Sequence, residues 1–98
     1  MKEERPHGFH ETLARLHIIL DEAQTVYAKE VGALIQEKCA DPERIEHLLD
    51  GLLDFCFDPE MLRLYKKVCR HYFDINPVAA VDYVGFYREL WDNDVDDS

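Results

Sequence analysis

Apolar residues along this chain recur at helical spacing, and three proline-marked stops divide them into runs. Counting from Asp41, Asp58 and Asn76, apolar side chains share the offsets four, seven, eleven, fourteen and fifteen. After Asp41 these are Ile45, Leu48, Leu52, Phe55 and Cys56; after Asp58, Leu62, Tyr65, Cys69, Tyr72 and Phe73; after Asn76, Ala80, Tyr83, Tyr87, Leu90 and Trp91. Steps of three and four residues put each set on one buried helix face. Each start is an Asp or Asn followed by Pro. The side-chain oxygen can accept from an orphan helical N–H, and the proline's missing N–H costs nothing at the first helical position. Proline also disfavours helix in the residue before it, which ends the preceding element. Glu43 and Glu60 then place negative charge in the first turn, where the helix dipole favours it.

Residues 9–39 read as one longer helix. Phe9, Leu13, Leu16, Leu20, Ala23 and Tyr27 alternate spacings of four and three, the seam of a coiled coil. The seam fails at Glu30 and resumes at Leu34, with Gly32 beside the gap. A 30-residue helix spans about 45 Å and a 15-residue one about 22 Å, so no single short helix covers the long one. Three resolutions compete: a break near Gly32, short helices stacked along it in two tiers, or a second copy over the excess. The expected fold is therefore all-α: a small four-helix, up-and-down bundle with a long first helix and short helices starting at Asp41, Asp58 and Asn76. Residues 1–8 read as a flexible N-terminus, 9–91 as a single helical domain, and 92–98 ("DNDVDDS") as an acidic disordered tail. The starts lie 17 and 18 residues apart, which invites comparison with tetratricopeptide arrays. The W-x2-L-G-x2-Y pattern of that repeat is absent, so the period is the length of a helix plus a turn.

Composition narrows the function classes. The net charge of −10 argues against nucleic acid as a direct ligand. No uncharged stretch approaches the roughly 20 residues of a membrane span, and the N-terminus lacks the apolar run of a secretory signal, so the reading is cytoplasmic with no membrane partner. Cys39, Cys56 and Cys69 are odd in number and widely spaced, which suggests buried free thiols rather than a disulfide framework or a zinc ribbon.

The acidic excess is uneven. Residues 41–60 carry seven acids and one base, whereas 61–73 carry no acid and four bases: Arg63, Lys66, Lys67 and Arg70. Those four, at i, i+3, i+4 and i+7, form one stripe. Glu43, His47, Asp50 and Asp54 form another on the preceding helix. Folding the two helices together would pair Asp54 with Arg63, Asp50 with Lys66 and Glu43 with Arg70; alternatively the basic stripe docks an acidic partner. The acidic stripe also resembles a carboxylate–histidine metal set, but it contains no Glu-x-x-His, a spacing that occurs only at Glu4 and His7, and it lies opposite the apolar stripe, so no metal or other cofactor is expected.

Catalytic chemistry is sparse. The only serine is Ser98, Cys69 and His71 point to different helix faces, and no glycine-rich phosphate loop occurs. Nine of the eleven aromatics follow residue 54, and the last helix is apolar around most of its circumference. Such a helix is either central in the bundle or covered by a partner. The leading expectation is a non-enzymatic protein–protein interaction module, a small acidic adaptor or regulator that binds another protein or itself as a homodimer. The candidate partner-binding residues are Arg63, Lys66, Lys67, Arg70, Tyr83, Phe86, Tyr87 and Trp91. The candidate dimer seam is Leu13, Leu16, Leu20 and Tyr27. Its rivals are an acidic nucleic-acid mimic that inhibits a DNA-binding protein, and a carboxylate/histidine metal-binding bundle.

Overall fold

The computed structural model describes residues 4–91, with side chains at Arg15 and from residue 18 onward. Four helices follow one another: α1 (Glu4–Gln36), α2 (Pro42–Leu53), α3 (Pro59–Phe73) and α4 (Pro77–Trp91). They make a small all-helical bundle, with no strand among the described residues. The expected caps are in place. Asp41 accepts from the Glu43 N–H at 3.1 Å, Asp58 from Met61 at 3.0 Å and Asn76 from Ala79 at 3.2 Å. Each proline occupies the first helical position behind its cap.

The bounds of α1 differ from expectation. It begins at Glu4 rather than Phe9, which leaves Pro6 in the first turn, where a missing N–H breaks no intrahelical bond. It ends at Gln36 rather than Cys39. Lys38 adopts a left-handed φ of 55°, its N–H bonds to the Ile35 carbonyl, and the Cys39 N–H bonds to Leu34, each at 3.0 Å. This is the Schellman closure, built without the glycine that usually signals it. Gly32 marks neither a break nor a close contact. The helix runs through it, and a Cβ there would meet nothing within 4 Å.

The core is centred on α3, which packs against α1, α2 and α4. Met61, Leu64, Tyr65, Val68, Cys69 and Tyr72 of α3 are buried with Ile45, Leu48, Leu49 and Leu52 of α2, Val31 and Leu34 of α1, and Ala80 and Tyr83 of α4. The α2 stripe matches expectation. The α3 stripe is shifted: Met61, Leu64 and Val68 are core residues, Leu62 is half-buried, and Phe73 is 45% exposed. Offsets shared with its neighbours marked only one flank of a face that must serve three helices. At α4 the stripe fails toward its end, where Leu90 and Trp91 are exposed.

Phenol hydroxyls brace this core. Tyr65 donates to the Tyr83 carbonyl at 2.7 Å, Tyr72 to Glu46 at 2.6 Å, and Tyr83 to Asp50 at 2.9 Å. These link α3 to α4, α3 to α2 and α4 to α2. His71 Nε2 lies 2.7 Å from the Cys39 carbonyl; since a carbonyl only accepts, Nε2 carries the proton. A chain of rings, Tyr27–Phe55–Phe57–Trp91, crosses from α1 to the end of α4, with centroids 6.0, 6.3 and 5.9 Å apart. Phe57 thus packs between Phe55 and Trp91.

The cross-hairpin ion pairs are not formed. Arg63 bonds Glu60 at 2.6 Å and Arg70 bonds Asp74 at 3.3 Å, both within α3 and its cap. The reason is periodicity. Each charged stripe lies opposite its own helix's apolar face, and α2 and α3 meet through those apolar faces, so the stripes point to opposite edges of the hairpin.

At about 50 Å, α1 outruns partners of about 18–22 Å. Leu20, Ala23, Tyr27 and Ile35 pack partly against the core, while Ile18, Ile19 and Val26 are each more than half exposed. The molecule measures 56 × 38 × 18 Å, a slab about two helices deep.

Gly32→Ala should raise stability by about 0.5–1 kcal/mol, since the site is helical and open; urea midpoints would show the shift. Asp58 both caps α3 and accepts from Gln24 Nε2 of α1 at 2.8 Å, whereas Asp41 caps only an exposed end. Asp58→Ala should therefore cost about 2 kcal/mol, and Asp41→Ala nearer 1 kcal/mol. Equal losses in paired melts would contradict the double role.

Candidate functional site

Because α4 is laid against α3 at the edge of the bundle, much of its apolar surface stays uncovered. Val78 is 74% exposed, Val81 58% and Val84 41%, with Phe86, Leu90 and Trp91 also exposed. The alternative reading, a central α4, is excluded by this placement. Between α3 and α4 runs an open groove of about 590 Å³. Leu62, Cys69 and Phe73 of α3 and Val81, Val84 and Tyr87 of α4 form its apolar part, while Lys66, Arg70 and Arg88 bring positive charge to it. Among the described residues no carboxylate lines it. The Tyr65 and Tyr87 rings, 6.3 Å apart, pack at its base.

A second groove of about 670 Å³ lies between α1 and α2 and has the opposite charge. Ile19, Val26, Tyr27, Leu48 and Phe55 supply its apolar part, and Glu22, Glu30, Asp50 and Asp54 its carboxylates, beside His47. Asp50 accepts from the Tyr83 hydroxyl. Among the described residues no three His, Cys, Asp or Glu side chains converge on a point where a metal ion could sit, and none of the helices is long and apolar enough to cross a membrane.

The candidate partner-binding residues separate in space. Lys66, Arg70 and Tyr87 meet at the α3/α4 groove. Arg63 is exposed but held by Glu60, and Lys67 lies outside the groove lining. Tyr83 is a core residue, 7% exposed, which corrects its placement at a surface; Phe86 packs edge-on against it at 5.1 Å and is itself exposed. Trp91 is partly structural: its indole N–H donates to the Leu53 carbonyl at 2.9 Å and fixes the end of α4. In the candidate seam, Leu20 and Tyr27 pack partly against their own core, and the side chains of Leu13 and Leu16 lie outside the described residues, as do residues 92–98. Sequence reasoning missed Arg88, Val81 and Val84. Their spacing, i, i+3 and i+7, was a legible signal that these three share one face of α4.

Burial sets the protonation chemistry here. It pushes the Cys69 thiol up to about 11, and the Cys56 thiol up to about 12 with help from Cys69. Burial likewise raises the Tyr65, Tyr72 and Tyr83 phenols, and the carboxylates that accept from Tyr72 and Tyr83 add to the effect. A thiol held protonated is a poor nucleophile. All these groups are favoured neutral in the fold. Below about pH 9 both folded and unfolded states keep their protons and stability is at its full value. Above it the unfolded chain releases protons that the folded chain retains, so stability falls as pH rises through 11 and 12. Urea midpoints should be flat to about pH 9 and then decline, less steeply in Cys69→Ala. A midpoint independent of pH up to about 11 would contradict this.

Comparison with family models, curated proteins and solved structures found no match to this chain.

Proposed function

We propose that this chain is a non-enzymatic protein–protein interaction module, a small acidic adaptor or regulator. Its docking surface is the uncovered side of α4 with the groove beside α3. The observation that carries the reading is the position of α4, an apolar helix at the bundle's edge. Single exposed hydrophobics are ordinary, but contiguous ones signal an interaction surface. Val81, Val84, Tyr87, Phe73 and Leu62 are contiguous along one groove. The polar groups among its described lining residues are three cations, two phenols and a thiol held protonated, a set suited to docking rather than to acid–base or nucleophilic chemistry.

A second reading, self-association, draws on the overhang of α1. Ile18, Ile19 and Val26 are exposed there, and a second copy would cover what the short helices leave bare. Sedimentation at rising concentration reads it directly: a monomer throughout removes it.

Val84→Glu tests the main reading. Val84 is partly exposed, so the variant should keep its helicity and melt within about 0.5 kcal/mol of wild type. Wild type should capture a protein from native extract that persists at high salt, and Val84→Glu should lose it. Equal capture by both overturns the α4 surface. Capture that ignores Val84 but fails at high salt would instead direct attention to the acidic α1/α2 groove.

A further inference from the structure

We propose that the α3/α4 groove takes an amphipathic helix from a partner protein, one whose apolar stripe is flanked by carboxylates. This rests on the interaction-module reading and names the partner's chemistry.

Shape comes first. Leu62 and Phe73 mark the ends of the groove on α3, about 16 Å or three helical turns apart. Two adjacent helices whose upper flanks are apolar leave the furrow into which a third helix packs, its ridge of i, i+3, i+4 and i+7 side chains lying between theirs. The groove is open along its length. A compact ligand would stay largely solvated there, whereas a helix laid along it would cover Val81, Val84 and Phe73 together.

Charge selects the helix. In a chain of net charge −10, this groove is bordered, among the described residues, by Lys66, Arg70 and Arg88 and by no acid. Helical periodicity puts Asp82 and Glu89, the acids of α4, on the side away from Val81, Val84 and Arg88. Lys66 and Arg88 have no ion-pair partner among the described residues. Arg70 reaches Asp74 only at 3.3 Å, with both side chains exposed, a contact readily exchanged. Cations on both walls would straddle an incoming helix and meet carboxylates on both flanks of its apolar stripe. That arrangement fixes the register of docking and rejects cationic helices.

Other occupants fit less well. The uncovered part of α1 from a second copy carries Arg15 and Lys29 among its carboxylates, so its charge match is poorer. A flat anionic membrane cannot enter a furrow between helices, and the acidic remainder of the chain would be repelled by it. Nucleic acid would leave the apolar floor uncovered.

The probes are two dye-labelled synthetic helices with the same leucine stripe, one flanked by glutamates and the other by lysines, measured by fluorescence anisotropy. The glutamate helix should bind at least about tenfold tighter, and moderate salt should reduce that preference. The double variant Lys66→Glu, Arg88→Glu should reverse the preference, while Lys67→Glu, outside the groove, should leave it nearly unchanged. Circular dichroism checks that the variants fold. Equal binding of both helices, abolished by Val84→Glu, overturns the carboxylate requirement but leaves apolar docking standing. Binding of neither helix overturns the groove as a helix site. Two further results would also overturn the proposal: a wild-type dimer that Lys66→Glu, Arg88→Glu dissociates, which makes a second copy the occupant, or binding to phosphatidylserine vesicles that the same variant abolishes.

Discussion

The apolar face of α3 is the one surface that the other three helices share. Met61, Leu64, Tyr65, Val68, Cys69 and Tyr72 spread over an arc wide enough for α1, α2 and α4 at once. Much follows from that arc. The polar residues of α3 are confined to the remaining side, which concentrates Arg63, Lys66, Lys67 and Arg70 on one exposed edge. Helix α2 meets α3 through its own apolar face, so its acidic stripe of Glu43, Asp50 and Asp54 is driven to the opposite edge, while Glu46 on the flank accepts from Tyr72. Tyr65 and Tyr72 bury their rings in this arc and spend their hydroxyls on α4 and α2, so the same helix that supplies the packing also supplies polar ties between layers. Burial of neutral phenols and thiols in place of charged groups costs little desolvation at neutral pH and explains why their ionisation is deferred to alkaline pH.

A second constraint is area. A 98-residue chain that spends 33 residues on one helix has too little left to cover it. The short helices cover the C-terminal half of α1, where Val31 and Leu34 are buried, and leave Ile18 and Ile19 to solvent. The same shortage leaves α4 with α3 on one side and water on much of the rest. Apolar surface is thus left over at both margins of the slab, beside charge of opposite sign: carboxylates by α1 and α2, cations by α3 and α4.

Local signals were legible in the sequence, and relations between helices were less so. Asp41, Asp58 and Asn76 announce their caps because capping is a contact between near neighbours in the chain. Ile45, Leu48 and Leu52 announce their face because α2 buries a single narrow stripe. Helix α3 hides its face because apolar residues at 61, 62, 64, 65, 68, 69, 72 and 73 cover more than one stripe, and only the positions of three neighbours decide which of them are buried. The end of α1 was hidden because Lys38 takes the left-handed position without a glycine. The groove was half-legible. Lys66, Arg70 and Tyr87 stood out by type, but Val81, Val84 and Arg88 acquire meaning only once α4 lies at the edge rather than at the centre. Expected pairings such as Asp50 with Lys66 failed because sequence proximity across a turn says nothing about which faces meet.

The two grooves differ in what their charges can do, and this bears on how the chain would discriminate among partners. Asp50 in the acidic groove is engaged by Tyr83, so part of that charge serves the fold. In the basic groove Lys66 and Arg88 serve no structural bond among the described residues, and Arg70 holds only an exposed contact. Charges that the fold does not use can be satisfied by a partner at little cost to stability. The apolar floor supplies contact area without direction, since Val81, Val84 and Phe73 would accept any apolar ridge of suitable width. Direction comes from the cations, which lie on both walls and face a net negative molecule beyond them. A helix entering with its carboxylates misplaced would lose the cations and meet the acids behind them. The overall charge of −10 therefore sharpens the choice made at the groove, because the repulsion that surrounds three cations raises the cost of every register but the one that engages them.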